Sequence, residues 1–263
     1  PGTDRRSLLY IWQAADPQLI DEESPIRFES FALIYRPQGH LTTQVFDAHV
    51  ATAARISAAS GRPFDFAVIA GDLTDGGQKN ELDWFFTALS GGTIDPDSGA
   101  ADDPISGPGN DHSDPILASG LPVPWYAALG NHETLYNGGF GNIDEDLREA
   151  AMADEVYSSG LFDNGLRDGA TVNGDVVASG STPPDDQRAP QYLEETLALL
   201  YEAPGEPTGH GLSPDLTHAY FSTHPIPDRP IRLIVLQTVD PDAPAGLAAQ
   251  GHFDAAQLTW LQA

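Results

Sequence analysis

The feature that most constrains the fold of this chain is a pair of short apolar runs, each followed directly by a glycine-led polar motif. Residues 64–70 (Phe-Asp-Phe-Ala-Val-Ile-Ala) precede residues 71–75 (Gly-Asp-Leu-Thr-Asp), and residues 123–129 (Val-Pro-Trp-Tyr-Ala-Ala-Leu) precede residues 130–133 (Gly-Asn-His-Glu). Short apolar runs that end at glycine predict buried strands. Open α/β sheets bind their ligands at the carboxyl ends of such strands. We therefore expect an α/β fold with a ligand site at one edge of its sheet.

A third apolar run ends in the same way. Residues 8–15 (Leu-Leu-Tyr-Ile-Trp-Gln-Ala-Ala) predict a strand that leads into an Asp-Pro-Gln sequence. The three strand ends would then bring together five side chains of metal-ligand type, which are Asp16, Gln18, Asp72, Asn131 and His132. Carboxylate oxygens, amide oxygens and imidazole nitrogens are the groups with which proteins bind divalent ions. This set favours a dinuclear metal centre.

The charge balance excludes several classes of partner. The 263 residues include 39 acidic and 12 basic side chains, which gives a formal net charge of −27. Nucleic acids and anionic membranes are bound through basic surfaces, so we expect neither as a partner. No apolar run reaches about 18 residues, so we expect no transmembrane segment. The absence of cysteine excludes disulfides, thiolate metal sites and a cysteine nucleophile.

The other patterns predict helices, strands and two long insertions within one domain, residues 1–263. Apolar periodicity and end signals predict helices at 41–60, 80–89, 142–157, 191–202 and 255–262. Strands are predicted at 217–223 and 232–239, and the second is expected to be buried on both faces because its centre is Leu-Ile-Val-Leu. The segments 91–122 and 164–190 are rich in glycine, proline and aspartate, so we expect loop insertions there.

The residue types at the strand ends suit the hydrolysis of a phosphoester. Two metal ions about 3.5–4 Å apart acidify a bridging water and clamp the phosphoryl oxygens. Asp72 follows a tight glycine turn and is suited to bridge the two ions, while Asp16 and Gln18 are placed to bind one of them. Asn131 offers a carbonyl oxygen to the other ion. His132 is next to a ligand and is expected to act as the catalytic acid that protonates the leaving group.

The strand-end residues resemble the first three motifs of the calcineurin-like metallophosphoesterases. That family writes these motifs Asp-x-His, Gly-Asp-x-x-Asp/Glu and Gly-Asn-His-Asp/Glu, and the counterparts here are residues 16–18, 71–75 and 130–133. The resemblance covers residues 8–135 well and the remainder loosely. It implies an α/β fold of the four-layer α/β/β/α sandwich type. It also implies a metal-dependent phosphoesterase that hydrolyses a phosphomonoester or phosphodiester through two metal ions and a bridging hydroxide.

The same resemblance extends to supporting residues and to location. It implies that the carboxylates of Asp75 and Glu133 do not bind the ions themselves but orient the residues that do. The context of residues 16–25 (Asp-Pro-Gln-Leu-Ile-Asp-Glu-Glu-Ser-Pro) resembles a secreted bacterial branch of the family. We therefore expect a secreted, extracellular or cell-envelope protein that acts on a small phosphorylated substrate.

Two departures from the family pattern change the expected metal site. Gln18 stands where the commoner motif has histidine, and an amide oxygen in place of imidazole favours Mn, Fe, Mg or Ca, with Zn still possible. The family's later ligands, an isolated histidine and a Gly-His-x-His motif, should follow the helix at 255–262, where the printed sequence stops. We therefore expect the C-terminal part of the domain to be missing here, and a C-terminal fragment or a second chain to complete the fold.

Two further residues are candidate substrate contacts. His210 lies in a Gly-His-Gly-Leu sequence, which is half of a Gly-His-x-His motif and precedes the strand that such a motif should follow. Arg27 is one of few cations near the first strand end. Its guanidinium is either a clamp for a phosphate group or the partner of a carboxylate.

Two alternatives stay open from the residues alone. The incomplete ligand set and the strong acidity also fit a non-catalytic binding or cell-surface protein that kept the fold and lost the full metal site. Residues 95–99 (Asp-Pro-Asp-Ser-Gly) partly resemble a calcium loop, but they lack the glutamate and the ligand spacing of an EF-hand. A calcium-dependent adhesion module is therefore a third hypothesis.

Overall fold

The computed structural model describes residues 7–26, 38–101, 105–139, 141–155, 166–167, 176–177, 181–240 and 251–263. The helices in these ranges are α1 (Thr42–Ala59), α2 (Lys79–Ser90), α3 (Glu145–Met152), α4 (Leu193–Glu202) and α5 (Ala255–Gln262). The strands are β1 (Ile11–Ala14), β2 (Phe66–Ala70), β3 (Gly92–Ile94), β4 (Ile116–Ala118), β5 (Trp125–Ala128), β6 (Leu166–Arg167), β7 (Val176–Val177), β8 (Phe221–Thr223) and β9 (Leu233–Val235). No helix in the described ranges has the length and apolar character needed to cross a bilayer.

The three strands that carry the motifs form one parallel sheet. Its order is β1-β2-β5, and Val68 at the centre of β2 pairs with Gln13 on one side and Tyr126 on the other. Helix α1 lies in the connection from β1 to β2, and α2 in the connection from β2 to β5. Mixed α/β architecture with a parallel sheet is therefore confirmed. Since the strands run in the same direction, their carboxyl ends all reach the same edge.

The core is built where the two helices meet this sheet. Phe46 of α1 stacks on Phe85 of α2 with ring centroids 5.3 Å apart. Phe85 and Phe86 both pack on Trp125 of β5, each at 6.3 Å between centroids, and all of these rings are buried. Burial of one large apolar side chain stabilises a fold by about 1.5–3 kcal/mol relative to leaving it exposed. This packing fixes β5 against β2 and thereby places the second glycine-led motif beside the first.

The segment 91–122, predicted as a loop insertion, has a short strand near each of its ends. β3 and β4 pair as antiparallel strands, with Gly92 opposite Ala118. Three-residue strands are too short to produce a periodic signal, which is why sequence reasoning missed them. Gly120 has φ of +70°, and a Cβ there would lie 2.7 Å from the backbone nitrogen of Gly91. The hairpin therefore depends on a close backbone approach that only glycine allows.

The prediction for residues 232–239 was wrong about burial. β9 pairs antiparallel with β8 in a separate two-stranded sheet. Ile234 is 44% exposed whereas Val235 is buried, so one face of β9 is covered and the other is not. A continuous apolar run is typical of strands buried on both faces, but the burial of an edge pair is decided by what packs on it. α5 was predicted correctly, and the Asp254 side chain caps it by accepting a hydrogen bond from the backbone N–H of Gln257.

About half of the predicted insertion at 164–190 lies outside the described residues. Within it, β6 and β7 pair as a short antiparallel ladder, and residues 186–188 form a 3-10 turn. The predicted helix at 142–157 is shorter in the structure, where α3 begins after Asp144 and ends at Met152. The Asp144 side chain accepts a hydrogen bond from the backbone N–H of Leu147 and so sets the start of the helix.

A fully buried arginine in the 3-10 turn joins three distant segments. Arg188 donates from Nε to Asp21 Oδ2 over 3.1 Å and to Ser98 Oγ over 3.0 Å, and its terminal nitrogen lies 3.7 Å from Glu23 Oε2. Arg188 and Asp21 have no exposed side-chain surface. The loop that resembles a calcium site, residues 95–99, therefore packs against a guanidinium through Ser98.

Candidate metal centre at the strand ends

The polypeptide turns sharply at the ends of β1 and β2. Asp16, Gln18 and Asp72 have positive φ values of 52°, 43° and 50°, a conformation that non-glycine residues rarely adopt. The two turns are tied together, since the N–H of Asp16 donates to Gly71 O over 3.1 Å and that of Gln18 to Asp72 O over 3.0 Å. Strained backbone of this kind persists where the surroundings over-determine it, and it is concentrated at functional sites.

The side chains of Asp16 and Asp72 come together at this edge. Burial raises the pKa of Asp16, and both the charge of Asp72 and a hydrogen bond to that carboxylate raise it further, against a smaller lowering by His132. One proton is thus favoured between two carboxylates. A divalent cation can take the place of that proton and satisfy both groups. The pair fits the requirements of a metal site on this ground.

The end of β5 is fitted closely against the end of β2. A methyl group at residue 130 would overlap both Oδ1 and the backbone nitrogen of Asp72, so the approach requires Gly130. The backbone N–H of His132 donates to Asp72 Oδ1 over 3.2 Å. This hydrogen bond orients the carboxylate predicted to bridge the ions, and it also leaves Oδ2 turned toward the β1 side of the site, where Gln18 lies.

The imidazole of His132 is oriented by Asp75. Its Nδ1 lies 2.6 Å from the backbone oxygen of Asp75 and 3.7 Å from Asp75 Oδ1. Its Nε2 lies 3.3 Å from Gln18 Nε2, within the strand-end group. The ring is only 7% exposed. A proton on Nδ1 is held by the Asp75 carbonyl, so Nε2 is the atom that faces the site.

The two amide side chains are placed differently. Gln18 Nε2 lies 3.5 Å from Asp72 Oδ2, so the nitrogen of the amide faces the carboxylate. Ligation of a metal requires the oxygen, which a rotation of the terminal amide would supply. Asn131 Nδ2 donates to the backbone oxygen of Gly138 over 2.7 Å, which leaves Oδ1 as the amide's ligand atom.

The side chain of Glu133 links the two glycine-led motifs through hydrogen bonds. Its Oε1 accepts from the N–H and the hydroxyl of Thr74 over 3.0 and 3.1 Å, and its Oε2 accepts from the N–H of Gly130 over 2.8 Å. Burial raises the pKa of Glu133, and these hydrogen bonds oppose the rise. Glu133 therefore holds the backbone that carries the ligands.

Sequence reasoning missed one residue of the site, Gly138. It has φ of +74°, and a methyl group there would overlap His132 Nε2 and lie 2.6 Å from Asn131 Nδ2. Its carbonyl also binds Asn131. The Tyr-Asn-Gly-Gly sequence at 136–139 is a turn signal, but only the folded chain places that turn over the histidine.

The candidate substrate contacts do not join this group. His210 is 1% exposed and stacks on Trp125 at 3.5 Å between ring centroids. Its Nδ1 lies 3.1 Å from Trp125 O and its Nε2 lies 3.0 Å from Ala203 O, and burial lowers its pKa. Both ring nitrogens face backbone oxygens inside the core, and the ring is too deeply buried to contact a substrate, which corrects the expectation. Arg27 lies outside the described residues.

The assembled group is rich in oxygen. In the described part of the chain, no set of three or more His, Cys, Asp or Glu side chains is arranged to hold a metal ion. The strand ends instead offer two carboxylates, Asp16 and Asp72, together with the amides of Gln18 and Asn131. Such a hard ligand set suits Mg, Ca or Mn.

Comparisons with known proteins found no counterpart of this chain. No family model, no curated protein and no solved structure matches it. A function can therefore be inferred only from the strand-end residues and their geometry.

Proposed function

We propose that this protein is a metal-dependent phosphoesterase that hydrolyses a small phosphomonoester or phosphodiester at the edge formed by β1, β2 and β5. One observation carries the proposal. Two successive strands bring the carboxylates of Asp16 and Asp72 into hydrogen-bonding proximity, and the third strand supplies a histidine whose Nε2 faces the same place. The resemblance of these motifs to those of the calcineurin-like metallophosphoesterases supports it.

Asp16, Gln18, Asp72 and Asn131 would hold two divalent ions at this site. When bound, such ions supply an acidified water and a positively charged clamp for phosphoryl oxygens. The chain's own contribution is to hold the carboxylates in place. The backbone N–H of His132 fixes Asp72, and Glu133 fixes the loops on either side of it.

His132 would donate a proton to the leaving oxygen from Nε2. An imidazolium with Nδ1–H held by the Asp75 carbonyl presents its second proton toward the site. The carboxylate of Asp75 lies 3.7 Å from the same Nδ1 and helps to orient the ring. General acid catalysis of this kind contributes about 10²–10⁴-fold to a rate.

The parallel sheet would form one half of a four-layer α/β/β/α sandwich, with β8 and β9 in the other half. Tyr126 of β5 and Phe221 of β8 support this arrangement, since their rings approach to 6.4 Å across the core. The acidic surface is consistent with the proposed secreted or cell-envelope location and with a partner that is not a nucleic acid.

The test is hydrolysis of p-nitrophenyl phosphate and of bis-p-nitrophenyl phosphate with added manganese. Asp72→Asn should lower turnover at least about tenfold, because losing a carboxylate weakens metal binding. The matched control is Asp83→Asn, which changes a carboxylate that is 47% exposed and paired with Lys79 on α2. Turnover that Asp72→Asn and His132→Ala both leave unchanged would refute the proposal.

The alternative is a binding protein that kept the fold without catalysis. The lack of a ready group of three acidic or histidine ligands among the described residues favours it. Elemental mass spectrometry on the purified protein separates the two readings. About two ions per chain supports the esterase, whereas no ion even after incubation with manganese supports the binding protein.

A further inference from the structure

A second cluster of metal-ligand side chains lies away from the strand ends. His40 lies in the short 3-10 turn that precedes α1, and His112 lies in the loop that leads to β4. Their rings meet edge to face with centroids 5.0 Å apart, and they are only 8% and 7% exposed. Gln44, on the first turn of α1, donates from Nε2 to His112 O over 2.6 Å and ties the two segments together.

Three buried polar atoms of this cluster have no hydrogen-bond partner in the described structure. They are His40 Nε2, His112 Nδ1 and Gln44 Oε1. Buried polar atoms are nearly always satisfied, and each exception calls for an explanation such as a bound ion or water. Two of the exceptions occur on imidazoles that contact each other, the third on an amide whose nitrogen donates to the backbone of His112, and all are atoms that can bind a metal.

The surroundings favour a cation in this place. The carboxylate of Glu22 lies so close to the turn that a Cβ at Gly39 would be 2.7 Å from its Oε1. That carboxylate also interacts with His112, so a negative charge lies beside the pair of imidazoles.

We propose that His40, His112 and Gln44 form a second metal site that binds a zinc-class divalent ion through two imidazole nitrogens and one amide oxygen. The absence of a group of three His, Cys, Asp or Glu side chains in the described residues is consistent with this set, since the third ligand is an amide. Nitrogen-rich sites suit Zn, Cu or Ni, whereas the oxygen-rich strand ends suit harder ions. The two sites should therefore select different metals.

The test is calorimetric titration of the full chain with zinc chloride after treatment with a chelator. We expect His40→Gln and His112→Gln each to weaken zinc binding at least about tenfold. His218→Gln, which changes an exposed histidine, should leave zinc binding unchanged. The His40 and His112 variants both keep the strand-end residues, so a loss of zinc binding in them reports on this cluster alone, and failure of this proposal is distinguishable from failure of the proposed function.

A second measurement covers the case in which the variants do not fold. Proton–nitrogen correlation spectra of the wild-type imidazoles, recorded during the zinc titration, should show shifts of His40 Nε2 and His112 Nδ1 that are complete at one equivalent. Unshifted imidazole signals would overturn the proposal and assign the cluster to buried water. Equal zinc binding by the His40→Gln/His112→Gln double variant would overturn it as well.

Discussion

Glycine at three positions of the strand-end site acts by leaving room. Gly71 and Gly130 let the ends of β2 and β5 approach, and Gly138 lets a turn cross over His132. The residues proposed as metal ligands are strained instead, since Asp16, Gln18 and Asp72 are held in the left-handed region that glycine favours. The chain thus stores backbone strain in the residues that would bind metal.

Gly138→Ala should lower the activity of the site by more than the strain of a positive φ alone would do. The added methyl group would overlap His132 Nε2, so we expect a clear loss of esterase turnover and of manganese binding. Gly109→Ala is the matched control, because Gly109 has a similar φ of +68° with no atom within 4 Å of its Cβ position. Both should lose about 1–3 kcal/mol from backbone strain. Equal turnover of the two variants would contradict the expectation.

Glu81 links stability to pH. Burial raises its pKa to about 8 from 4.5, and the charge of Asp75 adds to the rise. The folded state therefore holds this proton in a range where the unfolded state releases it. The free energy of unfolding should fall as pH rises from about 4.5 to about 8, with a limiting slope of about 1.4 kcal/mol per pH unit.

Glu81→Gln tests this linkage by urea unfolding across that pH range. The variant should be less stable than the wild type at low pH, because both Glu81 oxygens accept backbone N–H groups and an amide has only one oxygen: Oε1 accepts from Asp21 over 3.1 Å and Oε2 from Gly76 over 2.9 Å. The difference should narrow toward pH 8, where the wild type loses its proton. Glu202→Gln, at an exposed position, should keep the wild-type slope. Parallel profiles for Glu81→Gln and wild type would contradict the assignment.

At the scale of elements, loops rather than strands hold the edge of the sheet together. The segment after β1 is tied through Asp21 and Glu23 to the loop after β3 and to the turn before α4. Arg188 is the cation at this junction and Asp21 its buried partner.

Arg188→Met should therefore destabilise the fold strongly. It leaves the carboxylate of Asp21 buried without its cation, which costs about 3–5 kcal/mol. Arg55→Met, at an exposed position where the guanidinium bonds within α1 in the described structure, should stay within about 0.5 kcal/mol of wild type. Urea unfolding measures both. If Arg188→Met lowers the free energy of unfolding by no more than Arg55→Met does, the ion pair is not needed for stability.

At the scale of the whole molecule, the net charge of −27 opposes compactness. Mutual repulsion of surface carboxylates destabilises a folded chain, and salt screens it over about 10 Å at 0.1 M. We expect the melting temperature to rise between low and moderate sodium chloride. Choline chloride at equal ionic strength should give the same rise. A rise with sodium chloride alone would indicate binding of the cation instead of screening.

The sequence by itself determined the local features of the fold. The apolar runs and their glycine ends located β1, β2 and β5, and helical periodicity located α1, α2, α4 and α5, because each signal depends on neighbouring residues. The parallel direction of the strands follows from the helices between them. Asp16, Gln18, Asp72 and His132 were therefore predictable as one group.

Only the tertiary structure decided the contacts between distant segments. Arg188 reaches Asp21 across 167 residues, and Ser98 reaches it across 77. His40 and His112 meet in the same way, as does Gly138 with the histidine of the site. No local pattern encodes such pairs, because they exist only once packing has brought the loops together. Burial then sets their chemistry, since it lowers the pKa of the His112 imidazole and raises that of the Glu81 carboxyl.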